Sequence, residues 1–168
     1  MRTTLTLVFL LSGCGLLDGA GGDASGPECS TSDDCGSVEF CDAGSCEQID
    51  GRRFFVQIDK ADLNDSYDWD GFGDPPDPFV VIGVDGDVVC STSTVEDDYS
   101  VRWEEGCDVV FGSGELEIEL YDEDLSSNDL GLTFAASGLD DLVQLVRDES
   151  STLSNDYASV DISVFADF

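Results

Sequence analysis

The chain has 168 residues, 41% of them hydrophobic, enough for one modest core. Its 38 acidic residues face six basic ones and no histidine, for a net charge of −32. That balance excludes nucleic acid as a partner, since phosphate binding needs lysine and arginine, and it opposes an anionic membrane unless a cation bridges the two surfaces. Without histidine, neither a serine–histidine triad nor an imidazole zinc site can be built from this chain. The same acidity also reads as a highly soluble surface suited to a salty environment, and both readings can hold together.

The first element is an export signal. Arg2 precedes an apolar stretch from Leu5 to Leu11, broken only by Thr6. That is too short to span a bilayer, which takes about 20 residues, but it fits a secretory apolar segment. It ends in Leu11-Ser12-Gly13-Cys14, which resembles the bacterial lipobox, in which the cysteine is lipidated and becomes the new N-terminus. An ordinary signal peptide with a chance cysteine is the alternative. The resemblance implies a signal peptide over 1–13, an anchor at Cys14 and a place in the bacterial cell envelope, on the outer membrane or cell surface. Loss of residues 1–13 removes Arg2 and no acid, so the remaining chain is one unit more negative. Residues 14–28, with glycine at 15, 19, 21, 22 and 26, read as a flexible tether.

Cysteine usage agrees with export. Seven cysteines become six once Cys14 is lipidated. Four of them, Cys29, Cys35, Cys41 and Cys46, fall in residues 29–50, too short a stretch to fold on a core of its own, so two disulfides are expected to hold it. Three pairings are possible, and Cys29–Cys41 with Cys35–Cys46 is the one favoured. The segment resembles small cysteine-rich modules of bacterial lipoproteins. A metal site is the competing reading, disfavoured by an oxidising compartment and the lack of CxxC spacing, and a spacer is the simplest role. Cys90 and Cys107 sit in strand-like segments; a bridge between them would stabilise by about 3 kcal/mol, and two buried thiols are the alternative.

From Arg53 the pattern has period two. Phe54, Val56 and Ile58 alternate with Phe55, Gln57 and Asp59; Leu116, Ile118 and Leu120 with glutamates; Val160, Ile162 and Val164 with Ser159, Asp161 and Ser163. Further short strands are expected at 78–84, 87–93, 99–103, 107–111 and 130–134, with Asp85-Gly86 as a hairpin turn. Leu139, Leu142, Val143 and Val146 share a face at helical spacing. Many short strands with turns between them predict an all-β fold, an antiparallel β-sandwich over 51–168, with the helix as an insertion.

Two aspartate clusters abut strand patterns. One is Asp70 with Asp77, ending at Pro78-Phe79-Val80, where Asp70 is chosen over Asp65, Asp68 and Asp74. The other is Asp122, Asp124 and Asp129. Calcium takes six to eight oxygens, more than one short loop supplies, so two acidic loops at one end of a sandwich suit it. Asp122 and Asp124 alternate on a strand end and can point the same way, and Ser127 or backbone carbonyls could complete the shell. The bland readings are a turn-forming Asp-Pro and a solvated hairpin end. Trp103 reads as core. Trp69 and Phe72 read either as interface-inserting side chains or as packing beneath the loop.

Four segments in order resemble the C2 domain, the calcium- and phospholipid-binding β-sandwich. Phe54-Phe55-Val56-Gln57-Ile58 with Ala61-Asp62-Leu63 is similar to its first strand, Asp77-Pro78-Phe79-Val80 to its Asp-Pro-Tyr-Val signature, Trp103-Glu104-Glu105 to its Trp-Asn-Glu signature, and Leu120 to Gly131 to its third calcium loop. The resemblance implies an eight-stranded sandwich with Ca2+ held by Asp70, Asp77, Asp122, Asp124 and Asp129. It also implies calcium-dependent binding to membrane lipid, although the charge makes a protein or glycan partner as fitting as lipid. Lys60 is the only lysine, so no lysine-rich strand for phosphoinositides is present. No enzyme activity is expected; two carboxylates could in principle serve a glycosidase, but a sandwich of this size has little room for a deep cleft. A metal-independent surface interaction module or spacer is the alternative function.

Overall fold

The computed structural model describes residues 29–69, 74–112, 114–123 and 129–166. Cys14, Asp70, Phe72, Asp124 and Ser127 lie outside them. A turn of 3-10 helix, Ser32–Asp34, leads into a hairpin of β1 (Glu39–Asp42) and β2 (Ser45–Gln48). Two disulfides hold this segment, Cys29–Cys41 and Cys35–Cys46, with Cα separations of 5.9 and 5.5 Å. This is the interleaved pairing.

Eight further strands form two four-stranded antiparallel sheets. The first has the order β6 (Ser100–Val110), β3 (Arg53–Leu63), β10 (Ala158–Ala166), β9 (Ser150–Ser154). The second has the order β5 (Asp87–Ser91), β4 (Pro78–Val84), β7 (Glu115–Asp122), β8 (Asp129–Ser137). The sandwich follows from the period-two pattern. The inward side chains Phe54, Val56, Ile58, Val80, Ile82, Leu116, Ile118, Leu120, Val160 and Ile162 are all buried between the sheets. Strand β7 alternates strictly, with its glutamates facing outward.

The two open sides of the sandwich are closed differently. On one, Cys90 of β5 and Cys107 of β6 form a disulfide between the sheet edges, with Cα atoms 6.4 Å apart. On the other, α1 (Leu139–Asp148) lies by the β8 and β9 edges and buries Leu142, Val143, Leu145 and Val146. Asp140 and Asp141 in its first turn and Arg147 in its last complement the helix dipole.

Two expected elements differ. Residues 99–103 and 107–111 are parts of one strand, β6, because an irregularity in its pairing with β3 carries the ladder through Glu104, whose φ is +56°. Gly106 makes this possible: a Cβ there would stand 2.0 Å from the carbonyl oxygen of Val56. Strand β9 has no sequence signal beyond Leu153, its single buried residue.

The cysteine-rich hairpin shares the sandwich core. Phe40 and Ile49 are buried with it, and the Phe40 ring meets Phe54 edge-on at 5.3 Å, which stacks in turn on Phe111 at 4.7 Å. The Arg147 guanidinium donates to the carbonyls of Gly36 and Glu39, and Arg52 pairs with Asp42 and lies over the Phe40 ring. This hairpin therefore sits where β3 begins and β10 ends.

Candidate functional site

The opposite end of the sandwich, where β3 ends and β4 begins, gathers the acidic segments. Asp77 precedes Pro78, the first residue of β4, and Asp122 is the last of β7; Pro78 and Asp122 are register partners. Asp122 is fully buried. Its Oδ1 accepts the backbone N–H of Asp77 at 2.7 Å, and the N–H of Glu123 donates to the carbonyl of Asp77 at 3.0 Å. Two aspartates 45 residues apart in sequence are thus brought together by backbone bonding. Asp129 opens β8, is exposed and faces Asp122 across the ladder.

The structure adds a third segment that sequence reasoning missed. The connection between β5 and β6 contains Glu96-Asp97-Asp98. The N–H of Asp97 donates to Asp77 Oδ1 at 2.7 Å, and that of Asp98 to the carbonyl of Pro76 at 2.9 Å. Asp97 holds φ +57°, a left-handed conformation that aspartate tolerates better than most residues. The acidic run itself was the available signal.

Beneath these loops sits Trp69. It is 4% exposed, donates through Nε1 to the carbonyl of Asn64, and lies against Gly131, where a Cβ would come within 2.7 Å of the indole. Of the two readings of Trp69, packing is the one realised. Trp103 is also packed, with Nε1 bonded to the carbonyl of Ser93 at 2.8 Å. Among the described residues at this end, the exposed aromatics are Tyr67 and Tyr157, whose rings meet at 4.9 Å.

The donors here are carboxylate and carbonyl oxygens, a hard set suited to calcium or magnesium and unsuited to soft metals. Among the described residues, no three carboxylates bring oxygens within 4.8 Å of one another; the one group that close is the sulfurs of Cys29, Cys35 and Cys46, all engaged in disulfides. Asp77, Asp122 and Asp129 therefore share one end of the sandwich without forming a closed cage by themselves.

Solved structures share this architecture. The chain is similar to human GIVD cytosolic phospholipase A2 in complex with methyl gamma-linolenyl fluorophosphonate and terbium chloride, with a TM-score of 0.57 and 20% identity over 68% of this chain and 17% of that one. Plant extended synaptotagmin 1 matches through a single C2 domain, with a TM-score of 0.52 and 18% identity over 71% of this chain and 97% of that domain. The fold is C2-like. A calcium-bound pair of C2 domains from extended synaptotagmin 2 matches with a TM-score of 0.53 and 18% identity over 70% of this chain and 46% of that one. The C2-like chain thus spans about a sixth of the phospholipase chains it matches. No family model matches it, and no curated protein does.

Proposed function

We propose that this chain is a surface-anchored, calcium-binding C2-like module that makes calcium-dependent contacts at its acidic end. The observation that carries the reading is the bond between the backbone of Asp77 and the buried carboxylate of Asp122, which joins two acidic loops at one end of the sandwich. Asp70 and Asp124, from the same loops, would join Asp77, Asp122 and Asp129 as ligands. The calcium-bound state of the similar extended synaptotagmin 2 supports the choice of ion. Without metal the carboxylates repel one another; calcium would neutralise them and leave positions for an oxygen of a partner. Affinity suited to an extracellular module is about 0.1–1 mM.

One observation favours the metal-independent spacer reading. Asp77 and Asp122 already accept backbone N–H bonds, so the loops have a source of order besides a cation. A rise in unfolding temperature specific to calcium separates the two, and the double variant Asp122→Ala with Asp124→Ala tests the site. Under the calcium reading it loses the calcium-induced rise in unfolding temperature; an unchanged response would remove these residues from the site.

A further inference from the structure

We propose that the outer face of the sheet β6-β3-β10-β9 is a binding platform for an extended, uncharged oligosaccharide, and that it works without calcium. The platform uses none of Asp77, Asp122 and Asp129. Period-two alternation decides what the face displays. On β10, Val160, Ile162 and Val164 point into the core, so Ser159, Asp161, Ser163 and Phe165 point out. On β9, Leu153 points in, and Thr152 and Ser154 point out. Register places Thr152 beside Asp161, Ser154 beside Ser159 and Phe165 beside Phe55. Short hydroxyls and carboxylates thus cover the middle of the sheet, with an aromatic pair at one end.

The other end is aromatic too. Tyr157 precedes β10, is 46% exposed, and lines a shallow concavity with Asp62, Asn64, Ser154 and Ser159. Next along the strands lies a second concavity of about 390 Å³, whose lining includes Asp59, Lys60, Arg102, Thr152 and Asp161. Tyr157 and Phe165 are eight residues apart, about 26 Å of strand, which is room for several sugar units. Exposed rings at both ends offer flat apolar surface to the C–H faces of pyranose rings.

The polar groups between the rings are held in place. Asp59 accepts from Gln57 Nε2 at 2.5 Å and from Ser163 Oγ at 2.6 Å, and Asp161 accepts from Thr152 Oγ1 at 2.7 Å. An ionised carboxylate has about four acceptor sites, so both keep capacity for sugar hydroxyls. Groups oriented in advance lower the entropic cost of binding.

Charge selects the class of ligand. The strands of this sheet hold six acidic residues and three basic ones, Arg53, Lys60 and Arg102, each paired with a carboxylate. The strands of the other sheet also hold six acidic residues, but no basic one. Around the larger concavity two cations, Lys60 and Arg102, face two carboxylates, Asp59 and Asp161. In a chain of net charge −32, that local balance favours an uncharged polar ligand over an anionic lipid or a basic peptide. A protein partner fits poorly, because serine, aspartate and lysine are residue types in which protein interfaces are depleted.

The test is isothermal titration calorimetry on the chain from residue 14, Cys14→Ser, disulfides intact, in chelator. The probes are cellohexaose, the β-1,4-linked hexamer of N-acetylglucosamine, and an oligogalacturonate as the anionic control. At least one neutral hexamer should bind at millimolar concentration or below, and more tightly than the oligogalacturonate. Phe165→Ala and Tyr157→Ala, both at exposed positions, should each weaken that binding several-fold with little change in unfolding temperature, and Glu117→Gln on the opposite sheet should leave it unchanged. Four results overturn the proposal. One is no binding of either neutral hexamer. Another is binding that neither aromatic variant weakens. A third is binding that needs calcium and is lost in Asp122→Asn, which would put the sugar at the acidic end. The last is an oligogalacturonate that binds as tightly as the neutral hexamers, which would make Lys60 and Arg102 an anion site.

Discussion

At the scale of single residues, Asp122 has two distinct roles. It holds the N–H of Asp77, which is structural, and it is a proposed calcium ligand. Asn keeps the carbonyl acceptor and removes the charge, whereas Ala removes both. Asp122→Ala should therefore lose about 1–3 kcal/mol by denaturant unfolding in chelator, and Asp122→Asn clearly less, while both lose the calcium response. Equal losses for the two variants would show that the buried charge itself, and not the acceptor, fixes the loop. Asp62 shows the electrostatics of the outer sheet face. Its hydrogen bonds from Lys60 and then from Ser100 hold its carboxyl below the ordinary value of 3.8. A carboxyl depressed in the folded state adds stability above its unfolded pKa, and that contribution is lost as pH falls through the folded value. NMR titration should place the Asp62 midpoint below 3.8 and find it raised in Lys60→Gln; no change in that variant would leave Ser100 as the cause.

At the scale of elements, the alternating strands were legible because one face of each is buried, as Glu115 to Leu120 shows, and because Asp85-Gly86 supplies the positive φ values a tight hairpin needs. What was not legible depends on contacts distant in sequence. The continuity of β6 depends on Gly106 meeting Val56, and β9 depends on pairing with β10. The acidic loops were readable as spacing around Pro78 and after Tyr121. The Asp97 contact was not, since nothing local reports that the connection after β5 returns to Asp77. The disulfide and α1 close opposite sides of the sandwich, so each should matter separately. Replacing Cys90 and Cys107 together by Ala should cost about 3 kcal/mol, read as a lower denaturant midpoint with the far-ultraviolet spectrum retained. A cost near zero would mean that the edges of β5 and β6 stay together without the bridge.

At the scale of the molecule, the chain has two unlike ends. One holds the cysteine-rich hairpin, docked through Phe40, Arg52 and Arg147, and the other holds the carboxylates. The hairpin was legible as a disulfide module but not as part of the core, because Phe40 and Ile49 look like isolated apolar residues in a polar stretch. Phe40→Ala should lower global stability by about 3–5 kcal/mol, whereas Phe165→Ala, at a residue 47% exposed, should do far less. If Phe40→Ala leaves the midpoint unchanged, the hairpin is a spacer after all. The central claim is that the acidic end takes calcium, and thermal unfolding of residues 29–168, disulfides intact, in millimolar calcium against millimolar magnesium tests it most directly. At about ten times the dissociation constant, binding to the native state adds about 1.4 kcal/mol, so calcium should raise the unfolding temperature by a few degrees while magnesium does not. The same unfolding temperature in both ions would contradict the claim and leave a C2-like sandwich whose aspartates serve as surface charge.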